Sequence, residues 1–338
     1  EFTADDSRDL ASALLGKDDD RTASQAQQLL EEAQGNPFFL EKLLTSEQDV
    51  ASAGDASHKP ASLDEMLRAT VEQVSSSGQQ LLRTLAVVGQ PTELEVVTTA
   101  ADLESSISLL PELEAGRLVR VRSTHGGEEI EIYHDRIRRA VLSTISEDRL
   151  TGYHRRLLET LQVTGKADAE MLAVHAEGCG ELETAARYTA RAASEAADAL
   201  AFDRAARLYD EAIRLRGKDD EESRVMRVKR GNALVNAGRG AEAAETLLSA
   251  VDGAGLEEAL ELRRRSAQHY LMSGRLDEGL EAIKSVLATQ GMSLPDTPRQ
   301  ALVSILINRL KLRLRGIEFK ERDPREIPAA DLRRIDSC

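Results

Sequence analysis

The sequence has 338 residues, 41% of them hydrophobic but only 3% aromatic and none Trp, so its cores must be built from Leu, Ala and Val. Such cores suit close-packed helices better than a β-sandwich. A formal net charge of −15 makes free nucleic acid and anionic membrane poor partners for the surface as a whole.

From the N-terminus, residues 5–15 place Leu10, Leu14 and Leu15 on one helical face, and Thr22 is suited to cap a second helix running to Ala33. Gly35-Asn36-Pro37 ends that helix and starts a third, with Asn36 as N-cap and Pro37 at the first helical position. Phe38, Phe39, Leu40, Leu43 and Leu44 supply its apolar face. Residues 45–62 turn to Ser, Ala, Gly and Asp without periodicity and read as a linker.

Residues 63–163 read as a winged helix. Two helices over 63–88, broken near residues 75–78, are followed by helices over 93–101 and 104–115. Residues 118–123 and 128–133 then alternate apolar and polar around His125-Gly126-Gly127, a hairpin signal, and a helix over 147–162 closes the domain. The helix expected over 104–115 carries Glu104, Glu112 and Glu114 but no base, and Arg117, Arg120 and Arg122 make a thin footprint, so DNA readout is not expected.

The junction Ile130-Glu131-Ile132-Tyr133-His134-Asp135-Arg136-Ile137 runs a strand into a helix. Asp135 is placed to cap that helix, and His134 beside its positive end is positioned to donate to a phosphate oxygen. From these residues alone, a capped helix with a surface histidine is the preferred reading. Beyond residue 163 a repeat emerges, after a leading helix over 171–178, from the runs at 205–209, 243–247 and 279–283, spaced by 38 and 36 residues. Gly238-Arg239 and Gly274-Arg275 mark a tight turn in the last two, and Phe202-Asp203 takes that place in the first. Small residues at this period indicate tetratricopeptide-like helix pairs over 164–292. Residues 293–338 begin a further helical stretch, whose segment 301–315 interleaves Arg309, Lys311, Arg313 and Arg315 with leucines. That segment suits either anionic lipid or an acidic partner, or is the next solenoid helix, the reading preferred here.

No Gly-rich phosphate loop ending in Lys-Ser or Lys-Thr occurs, nor kinase or zinc signatures, so no catalytic or metal residue is assigned. Cys179 and Cys338 suggest no disulfide framework. With no signal peptide and no apolar run near the roughly 20 residues of a bilayer span, a cytoplasmic location is expected, and the ends at Glu1 and Cys338 read as cuts through a larger protein.

Taken in order, GNPFFLEKLL from Gly35, LLRTLAVVGQP ending at Pro91, YHDRIRRAVL from Tyr133 and LAFDRAARLYDEAI from Leu200 resemble a STAND-type signalling ATPase. These are AAA-like switches with an ATPase core, a lid, a winged helix and tetratricopeptide repeats, here most similar to the version fused to bacterial serine/threonine protein kinases. The resemblance implies a fold dominated by α-helix: a helical lid over residues 1–44, the winged helix with its small hairpin, then the solenoid. It implies that Gly35, Asn36 and Pro37 form the lid turn near the adenine, and that His134, with Asp135, meets the β-phosphate of ADP. ATP or ADP with Mg would bind the full-length parent, and none tightly to this piece, which lacks the P-loop core. The repeats would bind a protein or small-molecule ligand, and the parent would oligomerise. Thr70 departs from the pattern, since such sequences often carry Arg there. A large LuxR-type transcription activator with the same middle region, and a plain tetratricopeptide scaffold, are the alternative readings.

Overall fold

The computed structural model describes residues 33, 36, 39–43, 62–124, 127–289, 291–295, 297–316 and 327. The helices expected before residue 33, the lid-turn residues Gly35 and Pro37, the linker over 45–61, and His125 and Gly126 of the hairpin lie outside the described residues. The described part is dominated by helix with one small sheet, as the composition leads one to expect. It falls into two compact units. One holds the described residues up to Ala167 with Gly178–Gly180, the other Asp168–Glu177 and the described residues from Glu181 onward.

The first unit opens with α1 (Leu63–Gln73). Ser62, expected to close the linker, instead caps this helix: its hydroxyl accepts from Glu65 N, and the Glu65 carboxylate accepts from Ser62 N at 2.8 Å. In α2 (Ser76–Val88) the chain restarts because Ser75 caps it, and Ser75 is itself held by Glu112 through two bonds of 2.9 and 3.0 Å. Next come β1 (Thr92–Glu93) and α3 (Leu94–Ala100). The single helix expected over 104–115 is replaced by a 3-10 turn (Ile107–Leu109) and a short α4 (Leu110–Ala115). Pro111 explains the break, because it has no N–H for a carbonyl one turn back and so is tolerated only in the first turn of a helix.

The strands β2 (Val119–Thr124) and β3 (Gly127–Ile132) pair in register from Val119 opposite Ile132 to Thr124 opposite Gly127. A third strand unforeseen in the sequence, β1, pairs with the other edge of β3 through Thr92 and Ile130. β3 is therefore central, and Ile130 is fully buried. The helices α5 (Asp135–Leu142) and α6 (Glu147–Thr164) follow. One contiguous core joins Leu63, Leu67, Leu81, Leu82, Leu113, Leu118 and Ile137, with Phe39, Leu40 and Leu43 from the helical stretch 39–43 packed into it.

The second unit runs α7 (Ala169–Gly178), α8 (Leu182–Asp198), α9 (Phe202–Arg216), α10 (Glu221–Asn236), α11 (Gly240–Leu248), α12 (Leu256–Met272) and α13 (Leu276–Thr289). From α8 to α13 each helix packs on its sequence neighbours, which is the arrangement of an α-solenoid. The contact surfaces are small: Ala205, Ala206, Ala233 and Ala243 are nearly or wholly inaccessible.

The turns inside the pairs share one geometry. Leu200, Gly238 and Gly274 all have positive φ, at 60°, 76° and 79°. In each case the next residue donates its N–H five residues back: Ala201 to Ala196, Arg239 to Leu234 and Arg275 to Tyr270, at 2.8–2.9 Å. The first turn is thus at Leu200-Ala201, and not at Phe202-Asp203 as the repeat alignment suggested. Asp203 serves the next repeat instead, where its carboxylate accepts from Arg239 at 3.1 Å. The last helix, α14 (Pro298–Arg315), has no buried residue, and Leu306, Leu310 and Leu314 are all exposed.

Candidate functional site

The central strand decides where His134 goes. After Ile132 the ladder continues for one bond, Tyr133 N to Leu118 O at 3.0 Å. His134 follows in an extended conformation (φ −152°, ψ 145°), and its imidazole Nδ1 accepts from Arg136 N at 3.1 Å. His134 is therefore the N-cap, and Asp135 is the first residue inside the helix, one position from the cap assigned to it on the sequence. The chemistry still favours both residues. Asp135 places its carboxylate in the first turn, at the positive end of the helix dipole, and it pairs with Arg139 at 3.1 Å and more loosely with Arg138 at 3.8 Å.

Capping through Nδ1 fixes the proton of the neutral ring on Nε2. Burial pushes the His134 pKa below its ordinary value, and Arg139 and Arg136 act in the same direction, while Asp135 opposes them. The result at neutral pH is an uncharged ring with one nitrogen occupied by its own helix and the other carrying a hydrogen-bond donor.

The surroundings are rigid. Phe39 meets the imidazole edge-to-face, with ring centroids 4.8 Å apart and an interplanar angle of 85°. Arg136 Nε donates to Asp64 Oδ1 at 3.0 Å, tying α5 to α1, and Arg138 Nε donates to Ala86 O at 2.8 Å, tying it to α2. A cleft of about 150 Å³ is lined by His134, Asp135, Arg138 and Glu131 together with the stretch Gly89, Gln90 and Pro91. That is well below the roughly 300–1,000 Å³ of a whole small-molecule pocket. It suits one end of a ligand.

Of the residues singled out on the sequence, His134 and Asp135 are adjacent here. Asn36 lies in the segment that meets them: its carbonyl accepts from Leu40 N at 3.0 Å, the bond expected of an N-cap, one turn from Phe39. Gly35 and Pro37 lie outside the described residues. Sequence reasoning missed Phe39 as the neighbour of His134, since its apolar character marks it only as core, and it missed Arg138, whose role depends on a backbone carbonyl 52 residues away. Among the described residues no group of three His, Cys, Asp or Glu side chains is placed to hold a metal ion, and no helix is long and apolar enough to cross a membrane.

No protein-family model matches the chain, and no curated protein matches it. Among solved structures it is similar to the crystal structure of a signal transduction ATPase with numerous domains (STAND) protein with a tetratricopeptide repeat sensor from Pyrococcus horikoshii. The identity is 15% and the TM-score 0.45, over 84% of this chain and 40% of that one. The chain thus spans well under half the length of the structure it resembles.

Proposed function

We propose that this chain is the regulatory and sensor segment of a multidomain signalling protein of the STAND type, a bacterial serine/threonine protein kinase. In this reading the helical repeats bind a protein or small-molecule ligand. The first unit, read as a winged helix, couples that event to an ADP/ATP switch held with Mg by a core outside this sequence. The observation that carries the reading is the His134 ring: its Nδ1 is committed to Arg136 N, so its Nε2–H is a fixed, uncharged donor beside a helix N-terminus, a setting suited to a phosphate oxygen. Phosphate transfer and hydrolysis belong to that core, since the sequence has no P-loop.

The test is ADP affinity in a longer natural protein that contains this chain. A hydrogen bond to a charged group contributes roughly 1.5–3 kcal/mol, so His134→Ala should weaken ADP binding about tenfold or more. Asp135→Ala, which removes a charge from the first helical turn, should weaken it far less. Unchanged ADP affinity in His134→Ala would remove the nucleotide-sensing role and leave the histidine as a helix cap.

A further inference from the structure

A second cleft in the first unit, of about 490 Å³, lies between α2 and α6. From α2 it is lined by Ser76, Gln80 and Arg83. From α6 it is lined by Arg149, Gly152, Tyr153 and Arg156. Each set falls at spacings of three, four and seven along its helix, so each is one helical face. Three arginines line this space, and among the described residues no carboxylate does.

Arg136, Arg138 and Arg139 of the same unit each sit within 4 Å of an acidic side chain, whereas Arg83, Arg149 and Arg156 have no such partner among the described residues. Arg83 is also fixed in place. Its Nη2 donates to Gln79 Oε1 at 2.9 Å, and the Gln79 amide in turn donates to the carbonyls of Val74 and Glu72. The Arg83 Nε is itself buried and has no hydrogen-bond partner among the described residues. Arg156 is held over the Tyr153 ring, 4.9 Å from its centroid.

Gly152 leaves the α6 side of the cleft open. It lies in the interior of α6, where glycine is a poor helix former, and packing does not require it, since a Cβ there would meet no atom within 4 Å. With no side chain there, a ligand in the cleft can lie close to the α6 backbone.

We propose that this cleft binds a phosphate monoester. A dianion matches three arginines lining one cleft better than a single carboxylate does, guanidinium forks fit phosphate oxygens, and Ser76 adds a hydroxyl. The net charge of −15 argues against a polyanion. The site is separate from the His134 cleft and does not depend on the function proposed for it.

The experiment is calorimetric titration of the 338-residue chain with inorganic phosphate, glucose 6-phosphate and a short phosphoserine peptide, all at one fixed ionic strength. Saturable binding is expected, weakened at least about tenfold in Arg149→Gln/Arg156→Gln, a pair of exposed positions that leaves the fold intact. Gly152→Leu, which fills the floor of the cleft, should lose binding without lowering the melting temperature. Preference for the ester or for the peptide identifies the carrier, and either upholds the phosphate assignment. Absence of binding by all three probes would overturn the proposal. So would binding that persists unchanged in the double variant or in Gly152→Leu.

Discussion

The two units solve the same problem, a helical core without tryptophan, in different ways. The first gathers Leu, Ile and Val from nearly every element around one central strand, so that Leu82, Leu113, Ile130 and Ile137 share a single cluster. The second divides its interior into several small clusters rich in Ala, each joining a few neighbouring helices, and adds ion pairs from repeat to repeat, Asp203 with Arg239 and Glu245 with Arg275. The difference is one of cooperativity. A shared core couples every element that enters it, whereas a solenoid is stabilised by nearest-neighbour terms and can yield locally. The candidate nucleotide-facing histidine lies in the coupled unit, and the expected ligand-binding surface in the divisible one.

The sharpest way to break this contrast is to damage each core in turn. Leu82→Ala removes a fully buried side chain of the shared cluster and should cost about 3 kcal/mol. Chemical denaturation should show the whole first unit losing stability together. Ala243→Leu overpacks an inaccessible position of α11 and should cost about 2 kcal/mol. Hydrogen exchange should report lost protection in α10 and α11 with α13 little changed. Equal loss along the entire solenoid would refute the local account.

A smaller effect of the opposite sign is expected at the first repeat turn. Leu200 holds φ at 60°, where a side chain is strained and glycine is not, so Leu200→Gly should stabilise the second unit by about 1 kcal/mol. A melting temperature that falls instead would show that the exposed leucine makes a contact of greater value than the strain.

These positions also mark how far the sequence could be read. Periodicity and small-residue spacing brought out the helices and the repeat because they depend on local pattern alone. Leu200 escaped because the turn was sought by its glycine, and the geometry there is imposed by the flanking helices through the Ala201 to Ala196 bond. The strand β1 escaped because two residues carry no alternation, and only the edge of β3 makes them a strand. At the candidate site the cap was misplaced by one. Aspartate ranks among the best caps and histidine does not, so only the backbone angles at residue 134, set by the bond between Tyr133 and Leu118, reveal that the imidazole performs the capping. The cleft between α2 and α6 was invisible for a similar reason: its two faces are more than sixty residues apart in the chain.

The most direct test of the account is the protonation of His134, read by nitrogen NMR of the imidazole in the 338-residue chain across pH 4–8. With Nδ1 accepting from Arg136 N and burial lowering the pKa, the ring should be the Nε2–H tautomer at neutral pH and should titrate below the ordinary histidine value near 6.5. Because the folded pKa is depressed, the contribution of the cap to stability is complete above that value and is lost as pH falls from it through the folded pKa. An Nδ1–H tautomer, or titration at or above the ordinary value, would mean that the cap does not form and that His134 presents no fixed donor to a phosphate.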